Sequence, residues 1–301
     1  MNQVTASAPA ERKRAWRRIV DFPLVAMLIA VAVIMLGIVF AVVIGQFVVP
    51  AIPGFTQVLK FDLLAAVILI ILYKLVVRRL GERPRDDLCW TDAPRLLLIG
   101  LVGGFLLFAL VVAIAAAIGI YRVTGEGDLT NLLPAFLASA IFPAVSEEML
   151  FRGILFRWIE EFGGSWAALL VTSALFGAIH LANPNASIIA AVGIAFEAGV
   201  LLGGAYMLTR SLWLPMGLHA GWNFTQGEIF GIPVSGTSVH GLLEARLTGS
   251  PLLTGNGFGL EASPIAMIVA TAAGGWLVVL AVRRGRTVQP WWIARSALRS
   301  V

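Results

Sequence analysis

The stretch Ala-Val-Ser-Glu-Glu-Met-Leu-Phe-Arg-Gly, residues 144–153, sets two adjacent glutamates, Glu147 and Glu148, and an arginine, Arg152, inside an apolar run. A charged side chain near a bilayer centre costs roughly 2.5–3.5 kcal/mol on insertion scales. Two neighbouring carboxylates also repel one another, so packing alone gives no reason to keep them. If the chain is a membrane protein, the pair marks a functional site by default.

Composition meets that condition. The 301 residues are 59% hydrophobic and 13% charged, with a mean hydropathy of +0.90; soluble domains run at about 45–50% apolar and about 25% charged. The net charge of +5 would point to a polyanion in a soluble protein. Here the basic residues cluster at the ends of apolar runs and report topology, so no nucleic-acid partner is expected. Cys89 is the only cysteine, which excludes an intrachain disulfide. The first apolar run, 22–49, is much longer than a signal-peptide core of about 7–15 residues and reads as a retained membrane anchor.

A spanning helix needs about 20 mainly apolar residues. On that criterion the candidates are 22–48, 63–77, 96–120, 132–156, 166–181, 188–208, 212–230 and 264–282. The expected fold is all-α, a polytopic membrane protein of about eight transmembrane helices with a catalytic cavity within the bundle. If the amino terminus is cytoplasmic, nineteen of the 22 Lys and Arg residues fall on that side, leaving Lys60, Arg122 and Arg246 on the other. This positive-inside bias places both termini in the cytoplasm. The expected organisation is a cytoplasmic segment 1–21, a membrane domain 22–282 with a motif-bearing core at 143–227, and a cytoplasmic tail 283–301. The longest outer segment, 231–263, is glycine-rich and contains His240.

Within the spans the polar residues fall at helical spacing. Glu148 and Arg152, Phe176 and His180, and His219 and Asn223 are each i, i+4, which puts both members on one helix face. Glu147 sits about 100° around the helix from Glu148, so the two carboxylates are free to serve different ends. A turn at Gly163 and Gly164 joins two antiparallel helices; Glu147 and His180 are then each roughly 24 Å along their helices from it. His219, counted from Ser211, lies about 12 Å deep. Three helices can thus bring Glu147, His180, His219 and Asn223 to one level.

That set suits peptide hydrolysis. A buried glutamate beside an imidazole can take a proton from water, which assigns the base to Glu147 with His180. A developing oxyanion needs preorganised donors, and His219 and Asn223 supply an imidazole N–H and an amide NH₂. The same residues allow a metal reading, with Glu147, His180 and His219 as ligands of a divalent ion such as zinc and Glu148 as base. No H-E-x-x-H is present. Glu197 lies mid-span outside these pairs, Glu228 and His240 are expected at or beyond the outer surface in solvent, Phe176 is expected to pack, and Gly193, Gly199, Gly203 and Gly204 are expected to permit close helix approach.

The three segments Glu-Glu-Met-Leu-Phe-Arg (147–152), Phe-Gly-Ala-Ile-His (176–180) and His-Ala-Gly-Trp-Asn (219–223) resemble, in this order, the motifs of the CPBP intramembrane proteases. That family includes type II CAAX prenyl endopeptidases and bacterial relatives linked to bacteriocin processing or immunity. The resemblance covers about 143–227. It implies that Glu147 and His180 activate water, that His219 and Asn223 stabilise the oxyanion, and that Glu148 and Arg152 shape the site without a required cofactor. It further implies a multi-pass protein of a bacterial plasma membrane that cleaves a membrane-associated or prenylated polypeptide in a cavity open to cytoplasm and lipid. Two other classes are compatible with the residues: a proton-coupled transporter, in which Glu and His relay protons, and a catalytically silent binding or immunity protein of the same fold.

Overall fold

The computed structural model describes residues 15–48, 57–81, 85–128, 130 and 132–293. Arg12, Lys13, Arg14, Arg83, Arg295 and Arg299, six of the basic residues used to assign topology, lie outside the described residues, as do the ends of the expected terminal segments.

In chain order the elements are α1 (Ala15–Val20), α2 (Pro23–Val48), α3 (Gln57–Leu75), α4 (Ala93–Ala117) and a strand β1 (Tyr121–Glu126). There follow α5 (132–163), α6 (165–179), α7 (188–209), α8 (213–229), a second strand β2 (Leu243–Leu247) and α9 (Pro264–Arg283). The eight expected spans thus each coincide with a helical segment. Five stretches are long and apolar enough to cross a membrane, and one of these, Leu132–Ala182, is 51 residues long. It is two helices broken at Gly164, whose φ of 84° is left-handed and open to glycine at little cost. The remaining two segments fall short of that measure. α3 contains Lys60, Asp62 and Lys74, and α8 has its 17 residues in a mostly buried position. The architecture is otherwise all-α; the exception among the described residues is an antiparallel ribbon in which Tyr121 pairs with Leu247 and Glu126 with Leu243.

The helices bury small residues and present large ones outward, the inverse of a soluble bundle. On α9 the buried stripe is Ala266, Ala270, Gly274, Val278 and Ala281, while Ile268, Trp276 and Val279 are exposed. Lipid tails are as apolar as leucine, so helices associate in a membrane through close packing. A close approach joins α4 and α8 through Gly100 and Gly104 on one side and Gly217 and Gly221 on the other. A Cβ on Gly100 would lie 2.7 Å from the Gly217 Cα, and one on Gly104 would lie 2.6 Å from the Trp222 nitrogen. Of the glycines expected to pack closely, Gly199 faces Ser173, Gly203 faces Leu169 and Gly204 faces the Gly274 carbonyl, whereas Gly193 makes only ordinary contact.

Four π-helical turns, Leu137–Ile141, Phe151–Phe156, Ala195–Gly199 and Thr225–Ile229, interrupt α5, α7 and α8. Such turns shift the register of the side chains that follow and occur frequently at functional sites. Each carries a polar residue: Arg152, Glu197 and Glu228 are buried and Ser139 is half-buried.

Inserting a methyl group where α4 and α8 touch is expected to lower stability by roughly 1–3 kcal/mol. Gly104→Ala should therefore reduce the melting temperature in detergent, while Gly275→Ala, whose Cβ meets nothing within 4 Å, should leave it unchanged.

Candidate active site

Arg152 is fully buried in the bundle, in the π-helical turn that follows Glu148. Its Nη1 donates to Glu148 Oε1 at 2.8 Å, and its Nη2 donates to the Ala198 carbonyl of α7 at 3.0 Å. The guanidinium also lies 4.6 Å from the centre of the Phe176 ring of α6. The expected Glu148–Arg152 pair is therefore present, and it ties α5 to two other helices. Arg152, counted from sequence with the cytoplasmic positive charges, belongs instead to the interior.

Glu148 Oε1 also accepts from His219 Nδ1 of α8 at 3.1 Å. A carboxylate only accepts, so Nδ1 carries the proton and the ring presents Nε2 at its other end. On the same face of α8, Asn223 donates one amide hydrogen to the Ser139 carbonyl at 2.9 Å, which leaves its second amide hydrogen available. His180 sits at the end of α6, where its Nδ1 donates to the Phe176 carbonyl at 2.6 Å. That bond fixes the tautomer and leaves Nε2 as the other end of the ring. Phe176 packs, as expected, between these groups: its ring centre is 4.9 Å from that of His180 and 6.2 Å from that of His219.

Glu147 has the opposite character from Glu148. Both glutamates bury an Oε2 with no hydrogen-bond partner among the described residues, but Glu148 spends its Oε1 on Arg152 and His219, whereas Glu147 faces open space. Glu147, His180, His219 and Asn223 together line one cavity of about 740 Å³. Glu147 and His180 also line a neighbouring cleft of about 270 Å³ against Ile34, Met35 and Ile38 of α2. No hydrogen bond joins Glu147 to His180 among the described residues; the two share the cavity while His180 is held by its own helix.

Two findings depart from the sequence expectations, and Glu197, expected mid-span, gains a place beside the site. Glu228, in the π-helical turn Thr225–Ile229, is fully buried rather than solvated and accepts from Ser139 Oγ at 2.5 Å. Glu197 is buried too, and with Glu261, His180, His219 and Asn223 it lines a chamber of about 30 Å³ behind the main cavity. Finally, the mouth of the main cavity is formed by Asp128, Thr237, Ser238 and His240, which are exposed and belong to the two segments assigned to the outer side. A cavity open to the cytoplasm and cytoplasmic termini are therefore incompatible in this fold.

Sequence reasoning missed Ser139 and Glu261. A signal existed for Ser139: Ala135, Ser139, Pro143 and Glu147 follow one another at i, i+4 spacing and all line the cavity. Glu261 lies in the outer segment and carries no helical pattern; its Oε1 accepts from the Ser235 backbone N–H at 2.5 Å.

Residues 129–225 match the model of a family described as "Type II CAAX prenyl endopeptidase Rce1-like". This segment is similar to that family. All three sequence motifs, the cavity-lining Ser139 and the four π-helical turns up to Thr225 fall within or at the edge of it. A protein of Bacillus subtilis (strain 168) named "Putative membrane peptidase YdiL" is 24% identical over 216 residues, covering 68% of this chain and 81% of that protein. No solved structure matches. The Rce1-like segment and the apolar helices around it make this an integral membrane protein.

A metal at Glu147, His180 and His219 would need three donors converging on one point. No three His, Cys, Asp or Glu side chains among the described residues are grouped closely enough to hold an ion. The donor set does not fit a metal in this arrangement, and no chemical step is routed through one.

Removing Arg152 is expected to be costly because Glu148 would keep a buried charge without its strongest partner; breaking such a pair costs roughly 3–5 kcal/mol. Arg152→Met should lower the melting temperature in detergent sharply, and adding Glu148→Gln should recover part of the loss. The loop carboxyl of Glu261 gives a pH signature. Burial pushes it up to about 7 against the Ser235 N–H that holds it down, from an ordinary 4.5. The folded chain thus holds this proton more tightly than the unfolded one, so stability falls as pH rises from about 4.5 to about 7. Glu261→Gln should flatten the melting temperature across that window.

Proposed function

We propose that the chain is an intramembrane endopeptidase that cleaves a membrane-associated or prenylated polypeptide with water activated by Glu147 and His180. The observation that carries this reading is the unpartnered Glu147 Oε2 in a cavity that also receives His180, His219 and Asn223. The relative's description as a membrane peptidase and the Rce1-like segment support the same class of reaction.

In the proposed reaction a water between Glu147 and His180 gives a proton to the Glu147 carboxylate as its oxygen attacks the scissile carbonyl carbon. His180 Nε2, with Nδ1 held by the Phe176 carbonyl, accepts a hydrogen bond from that water and orients it. The tetrahedral oxyanion is met by the free amide hydrogen of Asn223 and by Nε2–H of His219. His219 already spends its Nδ1 proton on Glu148, so it can donate from Nε2 only as an imidazolium, for which the Glu148 carboxylate is the counter-ion. Glu148 and Arg152 are positioning residues in this scheme. The proton on Glu147 passes to the leaving nitrogen as the C–N bond breaks, releasing a carboxylic acid and an amine, between which the remaining proton of the water then equilibrates. No metal is assigned a role.

Purified protein in detergent should cleave a prenylated or membrane-inserted peptide. Glu147→Ala and His180→Ala should each abolish turnover, and Asn223→Ala should lower kcat by about 10²–10³-fold, as loss of one oxyanion donor does elsewhere. Melting temperatures of the Glu147 and His180 variants should stay near that of the parent chain. Full cleavage by both variants would reject the site, and cleavage lost on rigorous metal removal and restored by zinc would reject the metal-free scheme.

A further inference from the structure

The two ends of the bundle differ in charge and in access. At one end, Lys74 and Arg78 pair with Asp86, Arg157 donates to the Leu80 and Arg85 carbonyls, and Arg210 bonds Glu160 and the Arg286 carbonyl. Phe22, next to α1, packs against Phe162 and Trp291 at this same end, which brings the described parts of both terminal regions to it. At the other end lie the β ribbon, the loop after His180 and the cavity mouth. Asn183 and Asn185 of that loop donate to the Ser235 and Gly236 carbonyls beside the mouth.

Between the basic end and the cavity stands a buried apolar layer that includes Met149, Ile154, Phe156, Tyr206, Leu212 and Met216. None of the residues that line the main cavity belongs to this layer. Lipid access is different, because the 270 Å³ cleft beside Glu147 runs between α2 and α6, past Met35 and Ile179, which are 40% and 52% exposed.

Positive charge is retained on the cytoplasmic side of membrane proteins, and the bias here is strong. We infer that the cavity opens to the non-cytoplasmic side, and that its substrate is a membrane-anchored polypeptide presenting its scissile bond from that side while its membrane segment enters through the α2–α6 cleft. The substrate half of this statement rests on the peptidase reading above; the orientation half does not. A prenylated carboxy-terminus delivered from the cytoplasm would meet the closed end and would not be cleaved in a sealed membrane.

Cys89, the sole cysteine, is exposed in the loop at the basic end and serves as an internal marker. The reporter for the other end is Ser238→Cys in a Cys89→Ser background, Ser238 being exposed at the cavity mouth. Intact cells are treated with a membrane-impermeant maleimide, before and after detergent permeabilisation. The Ser238→Cys protein should label to the same extent in intact and permeabilised cells, and the parent chain at Cys89 only after permeabilisation. Labelling of Cys89 in intact cells, or failure of the Ser238→Cys protein to label until permeabilised, would overturn the inference. Because cleavage in detergent has no sidedness, a topology failure and a failure of the peptidase reading are told apart: the first leaves detergent activity intact, the second leaves the labelling pattern intact.

Discussion

A guanidinium deep in an apolar bundle must be met by acceptors, and the rest of the site is arranged around how Arg152 is met. Glu148 supplies its counter-charge, the Ala198 carbonyl takes a second hydrogen bond and the Phe176 ring covers one face. Burial of either charge alone would cost several kcal/mol, so the pair stands or falls together. Glu148 then has one oxygen shared between Arg152 and His219, which fixes the imidazole of α8 relative to α5. One ion pair thereby sets the relative positions of four helices. It also explains why Glu148, although adjacent to Glu147, is committed to structure while Glu147 is not.

Backbone geometry makes that convergence possible. Glycine contacts draw α8 against α4 almost backbone to backbone, and Gly177 and Gly199 do the same between α6 and α7. The π-helical turns carry Ser139, Arg152, Glu197 and Glu228, the last three fully within the interior. The cavity is asymmetric. Large buried side chains such as Trp158, Phe156 and Tyr206 fill the basic end, whereas the opposite end is framed by the small and polar residues of the 231–240 loop.

Much of this was legible in the sequence because the relevant relations are local. The Glu148–Arg152 pair follows from i, i+4 spacing, the break at Gly164 from two adjacent glycines, and the eight helical segments from apolar length. The common level of Glu147, His180, His219 and Asn223 followed from counting rises along helices, since rise per residue hardly varies. What was hidden depends on contacts distant in sequence. The Glu148–His219 bond joins residues 71 apart, and nothing in either motif says which carboxylate the imidazole will choose. Glu228 is expected in solvent because it lies near the outer end of its span, but the chain that follows folds back over it, the Leu242 N–H donating to its carbonyl, and it is buried. The face on which the cavity opens could not be read from depth alone, because depth does not say which end of a bundle is packed shut. The Gly100, Gly104, Gly217 and Gly221 contact carried a visible signal, small residues four apart on two helices, that went unread beside the polar motifs.

The central claim is that two neighbouring glutamates divide the work, Glu147 acting on water and Glu148 holding the bundle. It is tested most directly by comparing Glu147→Gln with Glu148→Gln for turnover of a membrane peptide and for thermal stability in the same detergent. The account predicts that Glu147→Gln loses turnover and keeps its melting temperature, while Glu148→Gln loses melting temperature because Arg152 is left without a counter-charge. Equal losses of stability in both variants, or turnover preserved in Glu147→Gln, would contradict it.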